Sequence, residues 1–182
     1  MKLTNRILMF TFVLSVLSCS SEKSSTLPPA PGSVAQVKDF LKGKKIGTQK
    51  TGFYASLVIN DKPEMEWIDV QTEKGEYEKQ VAEELKQFSL QFVNDTAVRV
   101  ESKGKTYDGT YVVDDKTDEF DKGKEGIKLR VTYNDPDMSF GGLEGPQEVT
   151  YTYFVKGIDS KSLLLQFPRE VNRRPVIGLM TE

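Results

Sequence analysis

The chain of 182 residues has no histidine, one cysteine and one tryptophan. These absences exclude a good deal of chemistry. No disulfide can form within the chain, and Cys/His zinc sites cannot be built. A serine or cysteine nucleophile cannot be paired with a histidine base. A surplus of one charge is missing too: the formal net charge is −2, and −4 once Lys2 and Arg6 are set aside with the N-terminal segment. The basic residues form no long stripe, so no nucleic-acid partner is expected. An enzyme built here would need carboxylates, Lys, Tyr or an oxygen-ligated metal. No Gly-rich phosphate loop follows an expected strand, and no carboxylate pair stands out among the 27 acidic residues. The chain is therefore expected not to be an enzyme, with no catalytic residues, cofactor or metal site.

Long apolar runs are also scarce. The exception is Ile7–Leu17, interrupted only by Thr11 and Ser15 and preceded by the positive Lys2 and Arg6. Eleven residues at ~1.5 Å each span about half of a ~30 Å hydrocarbon core, too little for a transmembrane helix. The pattern is that of an export signal. Its end, Val16-Leu17-Ser18-Cys19, resembles a bacterial lipobox. The resemblance implies cleavage before Cys19, a diacylglyceryl group on its thiol and a further acyl chain on the new amine, an anchor of two or three chains. The other readings are an ordinary cleaved signal with an incidental cysteine, or a buried N-terminal helix. Ser20, rather than Asp, follows the cysteine, and by the sorting rule of such lipoproteins this implies the outer membrane of a Gram-negative cell envelope. The expected divisions are a signal peptide at 1–18, a Ser/Pro-rich tether at 19–32 and one domain at 33–182. With Pro28, Pro29 and Pro31, the tether is expected to be an extended spacer that needs no folded role.

A domain of this size can bury a core without staples. Ser33 and Gln36 fit a capping box, and Val34, Val37, Phe40 and Leu41 share one helical face that ends at Gly43. This helix reads either as a plug on the core or, less simply, as a partner-binding helix. Strands are expected at Ala55–Ile59 and Trp67–Thr72, with a turn at Asn60–Pro63 between them. A second helix is expected over Glu76–Lys86, placing Tyr77, Val81 and Leu85 on the core side and Lys79, Glu83, Glu84 and Lys86 in solvent. From Phe88 onward the period is two: Phe88, Leu90, Phe92; Val98, Val100; Tyr107, Gly109, Tyr111, Val113; Ile127, Leu129, Val131, Tyr133; Val149, Tyr151, Tyr153, Val155; Leu163, Leu165, Phe167; then Val176–Thr181. Short half-buried strands at hairpin spacing predict a mainly β fold, an antiparallel up-and-down β-barrel with a short N-terminal helix and one further helix. Closure would also remove exposed strand edges.

From about Ser33 to Glu182 the chain resembles the lipocalin-like (calycin) domains of bacterial lipoproteins. The resemblance rests on a helix leading into the first strand through Gly43, on the run Phe88–Val113 and on Lys161–Gln166 before a final strand. Where lipocalins usually carry Trp two residues past that glycine, this chain has Lys45. The resemblance implies a barrel that takes a small hydrophobic ligand.

Tyr107, Tyr111, Tyr133, Tyr151 and Tyr153 share the parity of the apolar residues in their strands and are expected to point inward. There they are candidate ligand-binding residues, or tyrosines of a packed core reaching the rim. Asp114, Asp115, Asp118, Glu119 and Asp121 could offer oxygens to calcium, although their spacing is not that of an EF-hand and a solvated hairpin tip is the simpler reading. The stretch Asn134–Gln147, with Asp135, Asp137, Phe140 and Gly141-Gly142, reads as a variable loop, a barrel-mouth lid or a protein contact. Arg169, Arg173 and Arg174 are assigned to the last hairpin loop, as ordinary surface charge or a contact for an anionic partner. Two functions follow as expectations: an anchored envelope protein whose barrel binds a small hydrophobic or amphiphilic ligand, or a protein-binding envelope module of the inhibitor or immunity type.

Overall fold

The computed structural model describes residues 27–59, 62–69, 75–117, 126–135 and 147–182. The segment expected to direct export, Cys19, Asn60, Asp61, Asp118, Glu119, Asp121, Asp137, Phe140, Gly141 and Gly142 lie outside the described residues. In chain order the elements are α1 (Val34–Leu41), β1 (Lys45–Ile59), β2 (Lys62–Asp69), α2 (Glu76–Lys86), β3 (Ser89–Phe92), β4 (Ala97–Ser102), β5 (Lys105–Asp114), β6 (Lys128–Asp135), β7 (Gln147–Ile158), β8 (Ser162–Val171) and β9 (Arg174–Thr181).

Every strand pairing is antiparallel, and β1 pairs with β9 to close the sheet. The result is an eight-stranded barrel of β1 and β3–β9. The long β1 serves twice. Lys45–Gly47 pairs with β3, whereas Gly52–Ile59 pairs with β2, so the second half of β1 leaves the barrel as a hairpin arm. The start of β1 hid from the alternation because its register with β9 shifts between Thr48 and Lys50. One extra residue breaks a period of two. The expected turn at Lys62-Pro63 belongs to β2, where Pro63 faces Val58; proline is tolerated on such an edge strand.

Alternation fills the barrel. Leu90, Phe92, Val98, Val100, Val113, Leu129, Val131, Leu163 and Leu165 are buried in one cluster with Val37, Phe40 and Leu41 of α1. The Ser33 side chain accepts from the Gln36 N–H at 3.1 Å and starts α1, which then plugs one end of the barrel as a core element. α2 covers the other end with Val81, Ala82 and Leu85. Its rotation corrects the expected face. Tyr77 is 51% exposed, and the acidic Glu78 is buried in its stead. The Asn172 side-chain amide donates to Glu78, and the Arg174 guanidinium lies 3.8 Å from the same carboxylate. A buried carboxylate needs such partners. Arg169 and Arg174 are correspondingly strand residues of β8 and β9, and only Arg173 sits in the turn, at a positive φ.

The proline-rich spacer also departs from expectation in its described part. Pro28 is buried, and the Ile158 N–H donates to the Pro29 carbonyl at 2.8 Å.

Candidate functional site

The two ends of the barrel differ in chemistry because of where the tyrosines fall along each strand. Tyr111, near the end of β5, lies at the α1 end. Its ring meets Phe92 edge-on at 4.8 Å, and its hydroxyl donates to the Asn94 carbonyl at 3.0 Å. Tyr111 is therefore a buried residue with its hydroxyl bonded, and it does not line the cavity at the other end. The other four tyrosines lie toward the α2 end.

Tyr107, Tyr133 and Tyr151 form a row across three adjacent strands, with ring centroids 5.5 and 5.4 Å apart and planes tilted by 30° and 28°. Gly109 makes this row possible. It faces Tyr133 across the ladder, and a Cβ there would stand 2.4 Å from the Thr132 carbonyl oxygen and 2.9 Å from the Tyr133 Cβ. Beside the row, Phe88, Tyr153 and Phe167 pack in mutual contact, with centroids 5.4–6.0 Å apart. These two aromatic groups bound a cavity of about 360 Å³. Tyr133, Tyr151, Tyr153, Phe88, Phe167 and Leu85 supply its rings and apolar wall. Glu84 from α2, Ser102 and Lys103 from the β4–β5 turn, Asp135 from the end of β6, and Arg169 from β8 supply its polar part. Tyr107 stands behind Tyr133 and does not line the space.

Hydrogen bonds set the wall. The Tyr151 hydroxyl donates to Asp135 Oδ2 at 2.6 Å. Burial raises the pKa of Tyr133 far above the ordinary phenol value, and the Asp135 charge adds to this. Burial followed by the hydrogen bond to Asp135 does the same for Tyr151, and burial alone leads for Tyr153. All three phenols thus stay neutral well beyond physiological pH. At the rim, Arg169 Nη1 donates to Glu84 Oε2 at 2.9 Å, and this bond holds the Glu84 carboxyl below its ordinary pKa. The same guanidinium lies 6.0 Å from the Tyr77 ring centroid. Of the acidic residues weighed as calcium ligands, only Asp114 and Asp115 lie among the described residues. Asp114 pairs with Arg130 at 3.4 Å and accepts from the Lys116 N–H, and among the described residues no group of three carboxylates converges.

Parity identified the tyrosines but not their companions. Asp135 and Arg169 stood in stretches read as loops, and Glu84 on a helix face read as solvent-facing. The Leu85, Phe88 and Phe167 signals were core signals, and nothing local marks a core residue as one that borders a cavity.

What fold and site define is a closed antiparallel barrel, plugged at one end by a helix and holding an aromatic-walled cavity at the other. Comparison with protein-family models, with curated proteins and with solved structures finds no match to this chain.

Proposed function

We propose that the protein is a lipid-anchored component of the bacterial cell envelope, held through Cys19 at the outer membrane, whose barrel binds a small hydrophobic or amphiphilic ligand. The observation that carries this reading is the cavity of about 360 Å³ with its two aromatic walls and its few polar groups. Its volume falls within the ~300–1,000 Å³ of small-molecule sites, and a mostly apolar wall with a few fixed polar groups is their usual composition. The neutral phenols of Tyr133, Tyr151 and Tyr153 offer hydrogen bonds without the cost of burying a charge. A ligand with an apolar body and an uncharged polar group fits such a wall.

The test is native mass spectrometry of the full-length protein released from its membrane in mild detergent, followed by titration with the neutral fluorophore N-phenyl-1-naphthylamine. A retained small molecule, or saturable fluorophore binding weakened at least tenfold by Ser102→Trp at the cavity rim, supports the reading. A protein that carries no small molecule and binds the fluorophore without saturation overturns it. Recovery of one stoichiometric protein instead would favour the protein-binding alternative.

A further inference from the structure

Strand β7 runs on past the end of β6. Lys128 at the start of β6 faces Phe154, and the Val155 N–H donates to the Ile127 carbonyl, so that among the described residues no strand pairs with the last residues of β7 on that side. The chain segment ahead of α1 occupies this overhang. The Ile158 N–H donates to the Pro29 carbonyl at 2.8 Å, and the buried Pro28 lies against Gly157. A Cβ on residue 157 would stand 2.3 Å from the Pro28 carbonyl oxygen, so the contact requires glycine. Leu164, the ladder partner of Gly157, is fully buried beside it. Prolines suit this position because they accept one hydrogen bond and cannot extend the ladder, which blunts an edge.

The docking point lies at the α1 end of the barrel, opposite the cavity. Gln147, at the mouth end of β7, is eleven residues from Ile158 along that strand. At ~3.3 Å per residue and a tilt of ~40°, the mouth stands roughly 28 Å farther along the barrel axis. Eight residue steps separate Cys19 from Leu27. Eight residue steps reach about 28 Å at most. Bringing the mouth to the anchoring bilayer would therefore need a fully stretched tether.

We propose that docking of Pro28-Pro29 on the β7 overhang holds the barrel with its α1 end toward the anchoring membrane and its cavity facing away, so that ligand enters from the aqueous phase and not from the bilayer beneath. This rests on the reading of Cys19 as a lipid anchor. An acylated Cys19 leaves any introduced cysteine as the single free thiol, which makes the test direct. The full-length lipidated protein, carrying a fluorophore at Lys161→Cys (α1 end) or Lys105→Cys (mouth end), is placed in nanodiscs whose headgroups bear a nitroxide quencher. Quenching at position 161 should exceed that at 105 several-fold, and Gly157→Val should bring the two together. The double substitution Pro28→Gly with Pro29→Gly, which leaves every barrel residue in place, should do the same. Equal or reversed quenching in the unsubstituted tether overturns the orientation, as does a difference that survives both tether variants. Failure of the protein to associate with membranes at all overturns the anchor reading itself.

Discussion

The two ends of this barrel are built from the same strands and do opposite things. At the α1 end, Val37 and Leu41 are fully buried against the barrel core, and Phe40 is nearly so. Tyr111 there spends its hydroxyl on a backbone carbonyl. At the α2 end, rings stand around open space, the Tyr151 phenol bonds a carboxylate, and the covering helix adds to its buried Val81, Ala82 and Leu85 the polar contacts of Arg169 with Glu84 and Asn172 with Glu78. A plug of apolar side chains contributes stability through burial and tolerates no gap. The partly exposed Arg169–Glu84 pair at the other end contributes little stability. The difference separates a plugged end from a cavity end within one core.

The strongest way to break this contrast is to excavate the plugged end. Leu41→Ala should destabilise the protein by about 2–5 kcal/mol, read as a lower urea midpoint with an unchanged slope, because a fully buried leucine leaves a cavity. A loss under about 1 kcal/mol would mean that α1 is no true plug.

Alkali attacks the other end. The folded-state values of Tyr133, Tyr151 and Tyr153 are raised above the ordinary phenol value of 10. Their contribution is therefore complete below pH 10 and is lost as pH rises above it, because the unfolded chain releases these protons first. Stability should fall above pH 10 by up to ~1.4 kcal/mol per pH unit for each tyrosine concerned. Urea midpoints measured from pH 8 to pH 11 check this, and Tyr133→Phe combined with Tyr151→Phe should flatten the decline.

A smaller effect is expected from Tyr151→Phe alone. Loss of the hydrogen bond to Asp135 should cost about 1 kcal/mol in stability. The same substitution should weaken ligand retention in native mass spectrometry, whereas Tyr111→Phe at the plugged end should leave retention unchanged. Equal effects of the two substitutions on retention would erase the distinction between the ends.

The smallest expected change is at the rim. Glu84→Gln removes a partly exposed pair with Arg169 and should cost under about 1 kcal/mol. Glu84 has a lowered folded-state pKa, so its contribution is present above its unfolded value of 4.5 and lost as pH falls through the folded one. The variant should accordingly show a slightly weaker loss of stability in acid, measured by thermal melts between pH 3 and pH 6.

Much of the fold was legible because alternation reports directly on burial. The segments Val98–Val100, Leu129–Tyr133 and Leu163–Phe167 lie inside as their period of two requires. The bounds of α2 follow from its apolar recurrence, and the Ser33 cap marks the start of α1. Legibility failed wherever one residue interrupts the register. The shift near Thr48 concealed the first half of β1, and the shift between Val155 and Gly157 puts Ile158 in the core where an unbroken alternation from Tyr153 and Val155 would put Gly157. It failed too where a long-range partner outweighs a local pattern, as when Asn172 and Arg174 draw Glu78 inward and leave Tyr77 exposed.

By itself the sequence determined the class of fold, the closing helix and the inward parity of the five tyrosines, because these depend on neighbours two to four residues away. Only the tertiary structure decided which tyrosines share a cavity and that Asp135, Glu84 and Arg169 join them. Tertiary structure alone likewise fixed Pro28-Pro29 on the flank of β7. Such facts are set by strand register and by which end of the barrel a residue reaches, and both depend on chain segments far apart in sequence.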